Sequence, residues 1–502
     1  MAYDRARPMA GGSGEKMEIR MEQYKKARSI LGLVGITIFP GFFIYFQNAG
    51  EASFRDIWGV TTLMIGGALA TFGTVYVISR NWIKSALIVD IGMMLFLNFS
   101  ILEQIVIKLF PKVYYWHLIL IIVFIWILAG IFIIAYFPES IVMTSSDMIL
   151  LVTSILVLIN GIFAIPQIVR KVTYSNISKT DQNISPAVSS SSAVHENFYL
   201  FIFDEYGGPE NLTRYCNFDN SDFYQQLIDM KFNVSSTSHN EAYETVTVVP
   251  NLLNLGYVNK RTGPSDIAIK RSKLKNPRLY QILKSHNYIL NILDSNGFLD
   301  LADSTYCYVP ENINPEETVA YFILKNTAVY PFYKDSGSKD LEEMHKMFEY
   351  GRKSSTFETK NLFTIAYFSN PHLPWFVDEK GHLISELDRF NSWDSNVYLG
   401  QLKYLNSCLY PMLYEIIQND PESVIMIVSD HGFRQPVNAP ELFSTTIEDE
   451  SPYLTNILNA VYYKGETFDI EGKTGINTLI QILNSLLDME MEEVSISSYA
   501  EG

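Results

Sequence analysis

Cysteine is scarce in this chain, with only Cys216, Cys307 and Cys408 among 502 residues. Three cysteines cannot all pair, so a disulfide framework is not expected to stabilise the fold. Positive charge is also in short supply, because 38 Lys and Arg residues face 54 Asp and Glu residues and leave a net charge of −16. This balance argues against nucleic acid as a partner, since binding to a phosphate backbone depends on basic side chains.

Hydrophobic residues make up 48% of the chain, yet their long runs are confined to its N-terminal part. The runs that approach the roughly 20 residues needed to cross a bilayer are 30–48, 58–79, 85–107, 116–136 and 148–168. We therefore expect a transmembrane domain of five helices over residues 30–168, preceded by a tail at 1–29. Its third run contains Asp90, which lies near enough to the end to snorkel to the interface, and Glu103, which could line a path for a lipid head group.

Basic residues flank these runs unevenly. Several precede the first run, among them Arg20, Lys25 and Arg28, and Lys and Arg are retained on the cytoplasmic side of a membrane. We therefore expect a cytoplasmic N-terminus, and five crossings would then place everything after residue 168 outside the cell. Residues 169–195 are rich in Ser, Thr and Asn without an apolar period, which is typical of a linker.

Beyond the linker, strand-length apolar runs alternate with helical patterns. This order predicts an α/β domain with a mainly parallel central sheet over residues 196–490, and a C-terminal tail at 491–502.

Acidic clusters follow two of the predicted strands. Asp204-Glu205 comes directly after the strand-like run 198–203, and Asp430-His431 follows the run 424–429. The carboxyl ends of parallel strands are where open α/β sheets build ligand sites. Two carboxylates and an imidazole brought together there would suit a divalent metal ion.

Two further residues are candidates for the same edge of the sheet. Thr245 stands at the entry to a predicted helix, where its hydroxyl is either a simple N-cap or a group held for attack on phosphorus. His372 follows a third predicted strand, 362–368, and lies between Pro371 and Pro374, which restrict the backbone of the loop. It is either a solvated loop residue or a substrate contact.

Five motifs, in one order along the chain, carry a family resemblance: Phe201-Ile-Phe-Asp-Glu-Tyr-Gly207, Tyr243-Glu-Thr245 followed by Leu253-Asn254, Pro371-His-Leu-Pro-Trp375, Gln401-Leu-Lys-Tyr-Leu-Asn406 and Ser429-Asp-His-Gly432. With the apolar runs ahead of them, the chain resembles the lipoteichoic acid synthase-type membrane phosphotransferases of the sulfatase-like branch of the alkaline phosphatase superfamily. The resemblance covers essentially the whole length. It implies a transmembrane bundle followed by a catalytic domain of alkaline-phosphatase/sulfatase-like fold.

The resemblance also implies roles for particular residues. It makes Asp204, Thr245, Asp430 and His431 the metal ligands, with Thr245 as the nucleophile, and it places His372 by the transferred phosphate.

Two rivals for these roles remain open. Glu205 could replace Asp204 as the first ligand, although Asp204 is preferred because it ends the strand. Thr247 is the rival nucleophile, and Thr245 is preferred because it keeps the family's spacing from Leu253-Asn254.

Two absences narrow the implied chemistry. Sulfatases of the superfamily need a Cys or Ser in a Cys/Ser-x-Pro-x-Arg motif, which neither Cys216 nor Cys307 supplies, so sulfatase activity is not expected. Two-zinc members use additional His ligands, and no His follows His431. A single divalent cation, Mn²⁺ or Mg²⁺, is the expected cofactor.

The implied reaction is transfer of a phospho-head group through a phospho-threonine intermediate. The expected donor is a phospholipid of the outer leaflet, foremost phosphatidylglycerol, and the expected acceptor is a surface glycan or polymer. No motif in the sequence identifies the lipid head group. The alternatives that remain are a phosphoethanolamine transferase, a phosphodiesterase and a catalytically silent lipid-sensing or interaction protein.

Overall fold

The computed structural model describes residues 12–47, 49, 54–109, 115–177, 195–258, 267–295, 297–302, 304–309, 323–324, 326–329, 337–385, 388 and 394–496. Most of the predicted linker and parts of both predicted tails lie outside these residues. The described residues form two compact units, one within Met1–Val169 and Asn314–Lys334, the other within Arg170–Ile313 and Asp335–Gly502.

The N-terminal part is helical. Its helices are α1 (Gly12–Gln47), α2 (Phe54–Ser79), α3 (Trp82–Leu97), α4 (Phe99–Leu109), α5 (Tyr115–Tyr136) and α6 (Glu139–Ile177). Within the described residues, the stretches long and apolar enough to cross a membrane are Lys16–Gln47, Ile57–Ser79, Trp116–Tyr136 and Glu139–Pro166. The prediction of membrane-spanning helices is therefore supported, but the count of five is not confirmed.

The difference arises at Asn98, in the middle of the run predicted as the third span. Asn98 leaves helical geometry, and both its backbone N–H and its side-chain amide donate to the carbonyl of Met94. Helix α3 therefore ends at Leu97 after 16 residues, about 24 Å of rise against a hydrocarbon core of roughly 30 Å. Since the predicted sidedness depended on an odd number of crossings, it remains a prediction.

Asp90 lies inside the helical unit and does not reach the surface of that unit. Its side chain on α3 is fully buried. Neither carboxylate oxygen has a hydrogen-bond partner among the described residues. The expectation that Asp90 snorkels is therefore wrong, and the bundle buries a polar group that costs stability.

A short segment from much later in the chain packs with these helices. Ile323 is 2% exposed and joins the apolar cluster of α1, α2 and α3. The carbonyl and side-chain oxygens of Asn326 accept from the N–H and hydroxyl of Ser100, at 3.2 and 3.0 Å. This segment lies within the range predicted for the outer domain, yet its contacts group it with the helical unit.

The second unit is an α/β domain. Its strands are β1 (Phe198–Asp204), β2 (Asn233–Val234), β3 (Ile289–Asp294), β4 (Tyr306–Tyr308), β5 (Leu362–Pro371), β6 (Val424–Ser429) and β7 (Asn459–Tyr463). Its helices are α7 (Pro209–Cys216), α8 (Ser221–Asp229), α9 (Thr245–Leu253), α10 (Ile267–Ser272), α11 (Arg278–Ser285), α12 (Ser338–Ser354), α13 (Ser395–Asn419), α14 (Gln435–Asn438), α15 (Ile447–Leu454) and α16 (Gly475–Leu487).

The strands form one sheet in the order β2-β7-β6-β1-β5-β3-β4. Strands β6, β1, β5, β3 and β4 run parallel, while β7 pairs antiparallel with both β6 and β2. The sheet is therefore mixed, with a parallel centre and an antiparallel edge, and the prediction of a mainly parallel sheet is not confirmed in that form.

Helices cover both faces of the sheet. Along β1, Phe198, Leu200 and Ile202 face one apolar core with α9, α11 and α16, whereas Tyr199 and Phe201 face a second core with α8, α12 and α13. Because both faces are buried, the central strands are continuous apolar runs, not alternating ones. Parallel pairing brings the carboxyl ends of β1, β5 and β6 to one edge.

Candidate active site

The predicted metal-ligand residues meet at this edge. Asp204 ends β1, and Asp430 and His431 follow β6. His431 Nε2 lies 3.6 Å from Asp204 Oδ1 and 3.6 Å from Asp430 Oδ2, and one ligand atom of each residue lies within 4.8 Å of the others. The sequence interpretation therefore named residues that the fold brings together.

Thr245 presents its hydroxyl to Asp204, Asp430 and His431, which together are called the acidic group below. Its Oγ1 lies 3.4 Å from Asp204 Oδ1 and 3.4 Å from His431 Nε2. Thr245 is the first residue of α9, and the N-cap is Glu244, whose side chain makes no cap hydrogen bond. Thr245 is thus not the cap residue that its position suggested, and its hydroxyl is left facing the acidic group near the positive end of a helix dipole.

His431 offers a lone pair to the group, not a proton. Its Nδ1 lies 2.9 Å from the Gly432 carbonyl, an acceptor, so Nδ1 carries the hydrogen. Burial, and secondarily the charge of Arg434, lower the pKa of His431 to about 4. The imidazole is therefore neutral at pH 7, with the Nε2 lone pair directed at the carboxylates.

Acceptor atoms thus face one another in a buried space. Asp430 Oδ2 is buried without a hydrogen-bond partner among the described residues, and burial raises the pKa of Asp430 to about 6. Buried polar atoms are normally paired, and neither His431 Nε2 nor the unprotonated carboxylates can donate. Two carboxylates, one imidazole and a hydroxyl form a mixed oxygen and nitrogen donor set, which fits a divalent cation.

Surrounding groups orient the carboxylates. The buried Tyr367 hydroxyl donates to Asp204 Oδ2 at 2.7 Å, so that Asp204 Oδ1 is the oxygen that faces His431 Nε2. Asp430 Oδ1 accepts from the N–H groups of Glu205 and His431, at 3.0 and 2.7 Å. The Asn240 amide donates to the Asp430 carbonyl at 2.7 Å. Such outer contacts hold metal-binding side chains in position.

Glu205 points elsewhere than its neighbour Asp204. Its backbone has a φ of 64°, in the left-handed region, and its side chain is 1% exposed. Glu205 Oε1 accepts from the Arg434 backbone N–H at 2.9 Å and lies 3.5 Å from Arg434 Nε. Of the two candidate first ligands, Asp204 is therefore the one whose carboxylate lies with Asp430 and His431.

His372 lies beside this Glu205–Arg434 pair. Its Nδ1 is 2.6 Å from the Leu373 carbonyl, and its Nε2 accepts from Arg434 Nη2 at 2.7 Å. Burial lowers the pKa of His372, but the charges of Asp204 and Glu205 outweigh it, and the pKa is raised from its ordinary value. The resting hydrogen bonds still require a neutral imidazole, because Nε2 is an acceptor. His372 is thus at the predicted edge, where its backbone N–H donates to the Asp204 carbonyl at 3.2 Å and its ring contacts Arg434.

Thr247, the rival nucleophile, faces away from the acidic group. Its hydroxyl is buried, donates to Glu244 Oε2 at 2.9 Å and accepts from Lys270 Nζ at 2.7 Å. Lys270 also pairs with Glu244 at 3.2 Å. These contacts secure the start of α9 and give Thr247 a structural role.

Sequence reasoning missed Tyr367, Asn240 and Arg434. Tyr367 looked like an ordinary strand aromatic, and Asn240 lies in a polar loop without a motif. Arg434 had a usable signal, because it follows Gly432 by two residues and is a basic side chain next to an acidic motif.

Comparisons with known proteins find neighbours among solved structures alone. No protein-family model matches the sequence, and no curated protein matches it. Similar solved structures include the C-terminal periplasmic domain of EcEptC from Escherichia coli in complex with Zn, at 11% identity and a TM-score of 0.40, covering 59% of this chain and 83% of that chain.

Two further neighbours are of the same kind. The C-terminal periplasmic domain of the phosphoethanolamine transferase EptC from Campylobacter jejuni has 12% identity and a TM-score of 0.37, covering 62% of this chain and 94% of that chain. The lipoteichoic acid synthase LtaP from Listeria monocytogenes has 12% identity and a TM-score of 0.37, covering 65% and 80%. At these values the likenesses establish neither the fold nor the function of this chain.

Proposed function

We propose that this protein transfers a phospho-head group from a membrane phospholipid to a surface glycan or polymer, with Thr245 as the nucleophile. The donor proposed is phosphatidylglycerol, which would make the group phosphoglycerol. The observation that carries the proposal is the position of Thr245 Oγ1, 3.4 Å from both Asp204 Oδ1 and His431 Nε2 at the start of α9.

Asp204, Thr245, Asp430 and His431 would hold one divalent cation, Mn²⁺ or Mg²⁺, which when bound would lower the pKa of the Thr245 hydroxyl and offset negative charge on phosphoryl oxygens. Asp430 Oδ2, which is buried and has no hydrogen-bond partner within the part of the chain that the structure describes, supports this assignment. His372 is proposed to lie by the transferred phosphate, because its ring is 27% exposed beside the buried acidic side chains.

The proposed transfer has two displacements at phosphorus. In the first, Thr245 Oγ forms a bond to phosphorus, the hydroxyl proton leaves to solvent, and the bond from phosphorus to the diacylglycerol oxygen breaks as that oxygen takes up a proton. In the second, the oxygen of an acceptor hydroxyl forms a bond to phosphorus and loses its proton, and the bond from phosphorus to Thr245 Oγ breaks as that oxygen takes up a proton, which restores the threonine hydroxyl. Such reactions gain mainly from positioning and from neutralising charge.

Apolar N-terminal helices support a lipid donor. Helices long enough to cross a membrane would keep the α/β unit beside a bilayer, where a phospholipid is always at hand. We propose a multi-pass protein of the cell membrane with a cytoplasmic N-terminus and an extracellular catalytic unit. The net charge of −16 is in keeping with a partner other than nucleic acid.

The test is cleavage of defined lipids by the full-length protein in detergent. Phosphatidylglycerol or phosphatidylethanolamine is supplied with Mn²⁺, Mg²⁺ or Zn²⁺, and diacylglycerol is measured. We expect release from phosphatidylglycerol with Mn²⁺ or Mg²⁺, loss of release in Thr245→Ala, and unchanged release in Thr356→Ala, a control that removes an exposed hydroxyl bonded to the Lys353 carbonyl.

Each other outcome changes the proposal in a defined way. Release from phosphatidylethanolamine alone would replace phosphoglycerol by phosphoethanolamine as the transferred group. Release to water without an added acceptor at the full rate would favour a phosphodiesterase. Release from neither lipid with any of the three metals would favour a catalytically silent protein.

A further inference from the structure

An arginine that no motif included lies between His372 and Glu205. Arg434 donates from its backbone N–H to Glu205 Oε1 at 2.9 Å, and its Nε lies 3.5 Å from the same oxygen. Arg434 Nη2 donates to His372 Nε2 at 2.7 Å. The Arg434 side chain is 22% exposed and that of Glu205 is 1% exposed. The guanidinium is therefore reachable from solvent, while the carboxylate paired with it is not.

We propose that Arg434, held in position by Glu205, binds a phosphoryl oxygen of the donor head group beside His372. The proposal rests on the function proposed above and adds the group that admits an anionic substrate to an acidic site. Arg434 would touch substrate, whereas Glu205 would act through Arg434 as a positioning residue.

Charge is the first reason. Asp204, Glu205 and Asp430 bring three carboxylates to this edge. One divalent cation would leave a single negative charge, and a phosphodiester would bring another into the same space. With the divalent cation bound, the fixed positive charge of Arg434 brings the net charge of the site to zero before the phosphodiester enters. A guanidinium, unlike an imidazole, stays protonated when that anion binds.

Geometry is the second reason. A guanidinium has five N–H donors in a planar fork that matches two phosphoryl oxygens. Within the described residues, Nε and Nη2 of Arg434 have partners, and no hydrogen bond engages Nη1. Its partner on the site side, His372 Nε2, is a neutral acceptor that a phosphoryl oxygen could replace.

A second Arg–Glu pair in the same unit shows what a purely structural pair looks like. Both Glu450 oxygens are satisfied, by Arg214 Nη2 and Nε and by the hydroxyls of Tyr215 and Thr445. Arg434, in contrast, directs Nη2 to His372 Nε2 and not to its carboxylate partner. A phosphoryl oxygen can take over this donor while Arg434 Nε and the backbone N–H stay with Glu205.

The first test measures binding, not turnover. Full-length protein with Mn²⁺ is titrated with inorganic phosphate by calorimetry, and its melting temperature is recorded with and without phosphate. We expect Arg434→Gln to weaken phosphate binding about tenfold or more, the range for losing a charged hydrogen bond. Arg352→Gln is the matched control, since Arg352 is 37% exposed and lies 3.9 Å from Glu415.

The conservative variant separates binding from folding. Arg434→Lys keeps the charge and loses the fork, so an affinity about threefold or more below that of the wild type is expected. Glu205→Gln should also weaken phosphate binding, and with lipid substrate it should raise KM more than it lowers kcat. Wild-type phosphate affinity in a folded Arg434→Gln would overturn the proposal. If Arg434→Gln does not fold, wild-type affinity in Arg434→Lys would do the same.

Failure here and failure of the proposed transferase function give different results. If phosphate binding depends on Arg434 but no lipid is cleaved, the transferase function falls and the anion site stands. If lipid is cleaved but Arg434→Gln retains kcat/KM within about twofold, the anion site falls and the transferase stands. Absence of any phosphate binding by the wild-type protein with Mn²⁺ would also overturn the proposal.

Discussion

Tyr367 and Asp204 share a hydrogen bond that decides which carboxylate oxygen faces the site. The Tyr367 hydroxyl donates to Asp204 Oδ2 at 2.7 Å, while Asp204 Oδ1 lies 3.6 Å from His431 Nε2. Burial raises the pKa of Tyr367 well above its usual value, so the hydroxyl keeps its proton and remains a donor. The residue was not predicted to matter, yet it fixes the orientation of a proposed metal ligand.

Tyr367→Phe should therefore weaken metal binding with little effect on stability. We expect the affinity for Mn²⁺ to fall about 10- to 100-fold, the usual effect of removing an outer contact to a metal-binding side chain. Calorimetric titration of the full-length protein measures it. Tyr280→Phe is the matched control, because the buried Tyr280 hydroxyl has no hydrogen-bond partner among the described residues. Equal affinities in the two variants would contradict the orienting role.

Thr247 should matter for stability and not for activity. Thr247→Val removes the acceptor of Lys270 Nζ and the donor to Glu244, so we expect a loss of about 1–2 kcal/mol in unfolding free energy. The melting temperature of the purified protein would fall, while diacylglycerol release below that temperature would remain. A well-folded Thr247→Val that releases no diacylglycerol would instead make Thr247 the nucleophile.

The Glu450 carboxylate should make stability depend on pH in a defined window. The hydrogen bond from Arg214, with lesser help from Thr445 and Tyr215, lowers the pKa of Glu450 to about 2. A group with a depressed folded-state pKa stabilises the protein above its unfolded value, near 4.5, and this stability is lost as the pH falls toward 2. Acidification should therefore remove the contribution of Glu450.

Glu450→Gln tests this window. We expect it to lower the unfolding free energy at pH 7 by about 2 kcal/mol, and the difference from wild type to shrink between pH 4.5 and pH 2. Melting curves of both proteins across this range measure the difference. Glu415→Gln serves as the control, because Glu415 is 51% exposed and its ion pair with Arg352 is 3.9 Å long. A gap that stays constant or widens on acidification would refute the assignment.

The backbone at Gly432 is packed too closely to leave room for a side chain. A Cβ at this position would lie 2.3 Å from the Asn211 side-chain nitrogen and 2.9 Å from the Asn456 carbonyl. Gly432→Ala should thus displace the chain next to His431, destabilise the protein by about 1–3 kcal/mol and weaken Mn²⁺ binding. Gly256→Ala is the control, since its Cβ would meet nothing closer than 4.0 Å. Normal melting and metal affinity in Gly432→Ala would contradict this packing.

The parts of the fold that the sequence predicts well are those set by burial alone. Strands β1 and β6 are continuous apolar runs because both faces of the sheet are covered. Asp204 at the end of β1 and Asp430 directly after β6 had to meet once the strands ran parallel. The break at Asn98 was not predictable from hydropathy, which averages over 85–107. This break depends on the hydrogen bonds that the backbone N–H and the side-chain amide of Asn98 donate to the Met94 carbonyl, which end α3 at Leu97.

The residues of the site that belong to a sequence motif are predictable. Those whose role depends on contacts between distant parts of the sequence are less so. Glu205 and Arg434 are 229 residues apart, and their pairing depends on the left-handed backbone at Glu205 that turns its side chain away from Asp204. No local pattern encodes that turn, because the left-handed region is uncommon for residues other than Gly, Asn, Asp and His.

The most direct test of the central proposal is to find the covalent intermediate. Full-length protein is mixed with Mn²⁺ and head-group-labelled phosphatidylglycerol without an acceptor, quenched by denaturation and digested, and the labelled peptide is fragmented by mass spectrometry. We predict a glycerol phosphate adduct on Thr245, absent from Thr245→Ala and from protein treated with a metal chelator. Diacylglycerol release with the label on Thr247, or release that persists in Thr245→Ala, would contradict it.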